Sequence, residues 1–343
     1  MQKQLSFYIV IFAVVLLTIA IGSIFIGVYN FKESITHTFL NFIFNYQEVN
    51  PGDRYVISHI RLPRIVMAIL AGAGLSLAGT SLQGLFKNPL ASPDLIGITA
   101  GSVFFAAVAI VLGGYIKVHL PEIIHYSFLS IMSFIGALVT MTFVYKMSSI
   151  HGKTNISVLL LSGVAITALS GAATGLMTFL STDEELRNLT FWTLGSLAGA
   201  TWTKIIILAV VMFTAIYYLS SLGKSLNAMM LGENDANHLG ISVEKIKRRI
   251  VLFSALMVGT IVAFTGTISF VGLIVPYILR LIFKSNYYYI LPLSIFAGSI
   301  LLLVADGISR TLIPPTEIPI GILSAMMGAP VFISILLKFK KSL

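Results

Sequence analysis

Long apolar runs separated by short polar intervals set the pattern of this chain from end to end. The runs cover roughly residues 5–29, 62–85, 95–116, 123–145, 156–180, 203–222, 250–265, 270–283, 290–312 and 318–337. Most have the ~20 residues that a helix needs to cross about 30 Å of hydrocarbon. The pattern predicts an all-α, polytopic membrane fold of about ten transmembrane helices, with the pair around Gly266 short. The first run follows Lys3 and ends Ile-Gly-Val-Tyr-Asn. A secretory signal has a shorter apolar stretch and a small-residue cleavage site, so a retained span is predicted. An even number of spans puts both termini on one side.

The polar intervals carry the rest of the information. The longest in the C-terminal two thirds is 223–249, which mixes helix formers with Gly232 and Gly240, residues suited to ending short helices. It holds five cations, Lys224, Lys245, Lys247, Arg248 and Arg249, and loops rich in Lys and Arg stay in the cytoplasm. The interval reads either as a basic loop that fixes topology or as a structured surface for a cytoplasmic partner. Residues 182–203 predict a short amphipathic helix on the external face, anchored by Trp192 and Trp202. Pro89 and Pro93 bracket a cytoplasmic turn, Pro276 interrupts a span, and Pro314, Pro315 and Pro319 mark an external turn.

Composition narrows the class. Apolar residues make up 57%, charged residues only 10%, and mean hydropathy is +0.96, whereas soluble domains carry roughly 25% charged residues. The net charge of +9 does not point to nucleic acid, because the cations sit at the ends of apolar runs. With both termini cytoplasmic, fourteen of the 22 Lys and Arg fall inside and eight outside, which supports that orientation. There is no cysteine, hence no disulfide or thiolate site. Glycines at helix-packing spacing (Gly97 with Gly101, Gly171 with Gly175, Gly195 with Gly199, and Gly72, Gly74, Gly79) predict a tight bundle.

Catalytic chemistry is not visible. Gly152-Lys153-Thr154 and Gly223-Lys224-Ser225 lack the earlier glycine of a phosphate-binding loop; Met147 and Tyr218 stand there. An ATP-driven transporter would need a separate ATPase chain. The six histidines fall in predicted loops without a metal-binding pattern, and only His119 with His125 invites the question. Asp306 is the main intramembrane acid, and Arg310, one helical turn on, reads as its local ion pair. That scarcity counts against an ion-coupled carrier.

The order Leu231-Gly232-Glu-Asn-Asp-Ala236…Leu239-Gly240-Ile resembles the coupling loop of ABC importer permeases, and specifically the FecCD-type family of ferric siderophore, haem and cobalamin importers (type II importers). Three further stretches carry the resemblance. Arg61-Leu-Pro-Arg64 leads through Leu77-Ala-Gly-Thr-Ser-Leu-Gln83 to Asn88-Pro-Leu90-Ala-Ser-Pro93 and Gly97. Phe270-Val-Gly-Leu-Ile-Val-Pro276 precedes Arg280, with Tyr277 where the family more often has histidine. Asp306 to Arg310, Glu317-Ile-Pro-Ile-Gly321 and Gly328-Ala-Pro-Val-Phe332 match its end.

The resemblance implies a single permease domain over 1–343 that is not itself an enzyme and carries no cofactor or resident metal. Its implied partners are a second permease subunit (another copy or a related chain), a cytoplasmic ABC ATPase dimer, an extracellular or periplasmic substrate-binding protein and membrane lipid, with no nucleic acid. Its implied place is the bacterial cytoplasmic membrane. Arg61, Arg64 and Arg310 match outer-face arginines that pair with acids of the binding protein; as helix-end cations they could equally meet lipid headgroups. Asn88 and Leu90 match a cytoplasmic gate, or form a turn of Asn and Pro. Leu226, Ala228, Leu231, Gly232, Ala236, Leu239 and Gly240 match the ATPase coupling interface. The implied cargo is a ferric siderophore, with haem or cobalamin as the alternative and an ion-coupled carrier as the other class.

Overall fold

A computed structural model describes residues 2–27, 29, 31, 35–44, 49–117, 121–150 and 152–341. Among the described residues, seven helices are long and apolar enough to cross a membrane, and three shorter apolar helices complete the bundle of ten. They are α1 (Gln2–Phe25), α3 (Pro51–Leu85), α4 (Ile98–Val111), α5 (Phe128–Ser148), α6 (Ile156–Leu180), α8 (Trp202–Ser220), α11 (Val243–Thr265), α12 (Val271–Phe283), α13 (Tyr287–Ser309) and α14 (Ile320–Lys341), the shorter three being α4, α12 and α14. Shorter helices lie between them: α2 (Ile35–Phe44), α7 (Asp183–Thr193), α9 (Gly223–Leu231) and α10 (Glu233–His238). Strand pairing among the described residues is limited to Ser149–Ile150 with Lys153–Thr154.

The bundle is built around α3, which is buried along most of its length and packs against α13, α11, α12 and α8. Between lipid-solvated helices, apolar burial gives no net drive, so contact area must come from close backbone approach. Glycine supplies it here. A Cβ on Gly72 would overlap the Gly298 carbonyl of α13, and one on Gly79 would overlap the Gly272 carbonyl of α12. Gly101 packs just as tightly on α5. By contrast, Gly171 and Gly175 meet nothing within 4 Å. They lie on the open face of α6, where Leu169 and Leu176 are also exposed.

Side-chain contacts fix which helix ends share a face. The Tyr289 hydroxyl donates to Gln4 Oε1 (3.3 Å), and the Tyr8 ring meets Phe283 with centroids 4.9 Å apart. The start of α1 is therefore level with the α12–α13 turn. At the other face, Arg310 after α13 donates to Ile26 O (2.8 Å) just past α1. The N-terminal end, the α12–α13 turn and α9, whose Asn227 accepts from Tyr287 N, thus share the face assigned to the cytoplasm.

Several predicted boundaries move. The second span starts at Pro51 rather than near residue 62, because a π-helical turn, Val56–Arg61, carries the helix outward without a break. Asn50 caps that extension and Pro51 sits at its first position. Residues 35–44, in the interval between the first two apolar runs, form the amphipathic α2. The seventh span starts at Val243, so the cations of 245–249 stand on a helix that continues out of the membrane. The predicted break near Gly266 is real. At the break Gly266 N still donates to Val262 O (2.9 Å) and Thr265 O accepts from Ser196 N (2.7 Å), and the turn packed over it is itself held by Ile320 N and Gly321 N, which donate to Gly195 O and Leu194 O (3.1 and 3.0 Å). Irregular backbone at membrane depth is tolerated when protein covers it in this way. His119 lies outside the described residues. His37, His59, His125 and His238, expected in loops, sit in helical segments.

Candidate functional site

The polar chemistry of the bundle collects at three levels. On the cytoplasmic face, α9 and α10 form two short helices joined at Gly232 and closed by Gly240, whose φ of +79° suits a residue without a side chain. Leu226 and Met229, one helical turn apart, are buried under α9, and Ala236 is buried under α10. Leu231 and Leu239 project outward, 74% and 66% exposed. The seven residues expected at an ATPase interface therefore divide. Leu226 and Ala236 anchor the helices to the bundle, Ala228 is half-buried, and Leu231, Leu239 and Gly240 face solvent beside half-buried Gly232.

Two polar ties hold this pair to the spans. Asn227 accepts from Tyr287 N and donates to Asn286 Oδ1, both at 2.8 Å, which pins α9 to the α12–α13 turn. Lys247, only 3% exposed, ties α10. Its Nζ lies 2.8 Å from Glu233 Oε2, 2.9 Å from Glu244 Oε1 and 3.0 Å from Thr154 O. Glu244 in turn accepts from Thr154 N (2.8 Å). One ammonium thus spends its three donors on α10, on α11 and on the turn before α6.

At the inner end of the bundle, Asn88 Oδ1 accepts from Leu90 N (2.9 Å), the self-bonding geometry of an Asn turn. Arg280 donates to Gln83 Oε1 and to Pro89 O, holding that turn against α12. Leu90 packs against Leu273 and Ile274 of α12, as do Val331 and Phe332 of α14. Of the two expected gate residues, Asn88 shapes the turn and Leu90 supplies the apolar contact. Just beyond lies Asp94, which lines a 210 Å³ cavity with Leu75, Val262 and Phe270. It is accessible from that cavity yet ringed by protein. Desolvation raises its carboxyl above the usual carboxylate range, against hydrogen bonds from Thr99 (2.6 Å) and Ser92.

The outer level corrects an expectation. Arg61, Arg64 and Arg310 are buried, with 4%, 5% and 4% exposure, so they are not exposed cations in this protomer. The reason is internal pairing. Arg64 Nε donates to Asp306 Oδ1 (2.8 Å) and its Nη1 to both oxygens of Glu317 (2.8 Å each). Arg310 Nε stands 3.0 Å from Asp306 Oδ2. No aligned hydrogen bond joins those two atoms, so this contact is electrostatic. The remaining donors of Arg310 go to Ile26 O and Ser23 Oγ (2.8 and 2.6 Å). Arg61 donates to Ile24 O and lies over the Phe31 ring, 4.7 Å from its centroid. Asp306, read as the partner of Arg310 alone, bridges two guanidiniums.

A span-rich bundle with a paired-helix cytoplasmic surface is one of several transporter plans, and the family comparison decides among them. The family model described as the FecCD transport family matches residues 9–338. The chain belongs to the FecCD transport family. The haemin transport permease HmuU of Yersinia pestis is 37% identical over 82% of this chain and 82% of its own length. The vitamin B12 import permease BtuC of Vibrio vulnificus is 36% identical over 87% of each chain. A solved metal-chelate type ABC transporter in an inward-facing conformation aligns with a TM-score of 0.81 at 31% identity, covering 96% of this chain and 98% of that one. This FecCD chain is thus a multi-pass permease subunit of the ABC importer type. Sequence reading of it missed Lys247, Glu233, Glu244, Asn227 and Asp94. Lys247 is indistinguishable by sequence from four neighbouring cations. Asn227 lies one turn after Gly223, which packs against Tyr287 and Tyr288, and its closeness to Tyr287, 60 positions on, is not displayed by the sequence.

Proposed function

We propose that this chain is the permease subunit of an ATP-driven importer of large metal chelates in a bacterial cytoplasmic membrane, with ferric siderophores as cargo and haem or cobalamin as the alternatives. The observation that carries the ATP-driven part is the α9–α10 pair. Its outward leucines offer an apolar contact of a kind a cytoplasmic ATPase could grip, each contributing on the order of 1.5–3 kcal/mol when fully buried. Asn227 and Lys247 provide rigid ties along which a push on that pair would reach the spans. Energy then comes from the partner ATPases, and the permease itself supplies the pathway.

The open face of α6, with Gly171 and Gly175 uncovered, supports pairing with a second permease subunit, since small residues at that spacing favour close helix approach. The buried state of Arg61, Arg64 and Arg310 alters the docking proposal. These residues would shape the outer surface on which a binding protein sits, through Glu317 and the turn after α13, rather than meet its acids directly. The cargo reading rests on the haemin and vitamin B12 relatives and on the metal-chelate transporter, whose named cargoes are all chelates.

The test is uptake of labelled ferric siderophores, haem and cobalamin by cells with and without the gene. Loss of one cargo that the intact gene restores, and that Leu231→Asp does not, would support both halves of the proposal. Restoration by Leu231→Asp, with a co-purifying ATPase still present, would remove the coupling role of this surface.

A further inference from the structure

Away from the coupling surface and the ion clusters, the outer half of the bundle contains a groove of about 760 Å³ between α5, α8 and α11, under the end of α7. That is within the range of ~300–1,000 Å³ typical of sites for small ligands. Phe134 of α5, Ile207 and Val211 of α8 and Ala263 of α11 make it mostly apolar. The hydroxyls on its α11 wall have no proton left for an anionic guest, because Thr260 and Thr265 donate to Leu256 O and Ile261 O of their own helix (2.7 and 2.9 Å). At the outer end stand Trp192 and Lys204. Lys204 Nζ donates to Gly199 O (2.8 Å). Among the described residues no carboxylate pairs with it. An ammonium has three donors, so two remain for an outside acceptor.

This combination is an amphiphile's imprint: hydrocarbon lining below, a cation and an interfacial tryptophan at headgroup level. We infer that the groove is a binding site for one anionic phospholipid, with an acyl chain between α5 and α8 and the phosphate on Lys204. A second permease copy fits less well, since the flat face with uncovered close-approach glycines is on α6, while this site is concave and ends in an unpaired charge. The inference depends only on the membrane placement of the bundle and stands apart from the cargo.

Native mass spectrometry of the purified full chain, titrated with phosphatidylglycerol or with phosphatidylcholine of identical acyl chains, tests it. One phosphatidylglycerol should be retained with about fivefold preference, the effect of a single lysine at a charged membrane surface. Lys204→Gln should erase the preference while chain binding persists. Ile207→Trp, at a half-exposed position that tolerates bulk, should lose both lipids. Inorganic phosphate should not displace the lipid. Equal retention of the two lipids by the wild-type chain would overturn the inference. A preference that survives Lys204→Gln, or displacement by free phosphate, would do the same.

Discussion

Arg64 offers an internal comparison, because it holds two carboxylates in different surroundings. Asp306 is fully buried and Glu317 is 38% exposed, yet each lies 2.8 Å from the same guanidinium. Asp306→Asn keeps shape and one acceptor oxygen but removes the charge shared by Arg64 and Arg310. Two buried cations then face each other with only Glu317 and backbone carbonyls to balance them. Breaking a buried ion pair by removing one partner costs about 3–5 kcal/mol. Glu317→Gln removes an equally short contact whose carboxylate is already hydrated, and exposed pairs contribute about 0.2–1 kcal/mol. The midpoint shift in a thermal unfolding experiment on the purified chain scales with the lost free energy. Asp306→Asn should therefore lower the midpoint at least three times as far as Glu317→Gln. Equal shifts, or no shift from Asp306→Asn, would refute the claim that burial rather than distance sets the strength of this cluster.

Gly79→Leu should abolish recovery of folded protein, since its side chain would meet the Gly272 backbone, whereas Gly175→Leu should fold normally and weaken only association of permease subunits, read by size-exclusion chromatography. Lys247→Met should release α10. Losing charge-assisted bonds of about 1.5–3 kcal/mol should speed amide exchange across 233–238 on the order of 10- to 100-fold by hydrogen–deuterium mass spectrometry. For Asp94 the native carboxyl is raised, so the folded state binds its proton more readily than the unfolded chain does. That contribution to stability is present at acid pH and lost as pH rises through the native value. Asp94→Asn should raise the unfolding midpoint at neutral pH, with the gain shrinking as pH falls into the carboxylate range; a gain constant across pH would contradict the assignment.

What could be read from the chain follows from which forces are local. Span number came from apolar length, which the bilayer imposes on each segment separately. The two short helices α9 and α10 are legible from Gly232 and Gly240, set in a polar interval where nothing carries the helix past them. The period of α2, with Ile35, Phe39, Leu40, Ile43 and Phe44 on one side, was also local and should have been seen. The arginines were different. Arg61, Arg64 and Arg310 look like surface charges because they end helices, and only partners distant in the chain, 37, 242 and 284 positions away, turn them inward. Lys247 is the same case, its acceptors coming from three segments.

The glycine contacts along α3 have a consequence for how such a subunit can move. At Gly72 and Gly79 its backbone touches α13 and α12 with no side chain between. A slide by a fraction of a turn would bring a Cβ into each contact, so the three helices resist gliding along one another. They behave as a single block. Any opening of a pathway must then be a tilt of this block as a whole, hinged at its periphery, with the flexible parts confined to helices such as α6, which packs on α4 and α5 rather than on the block.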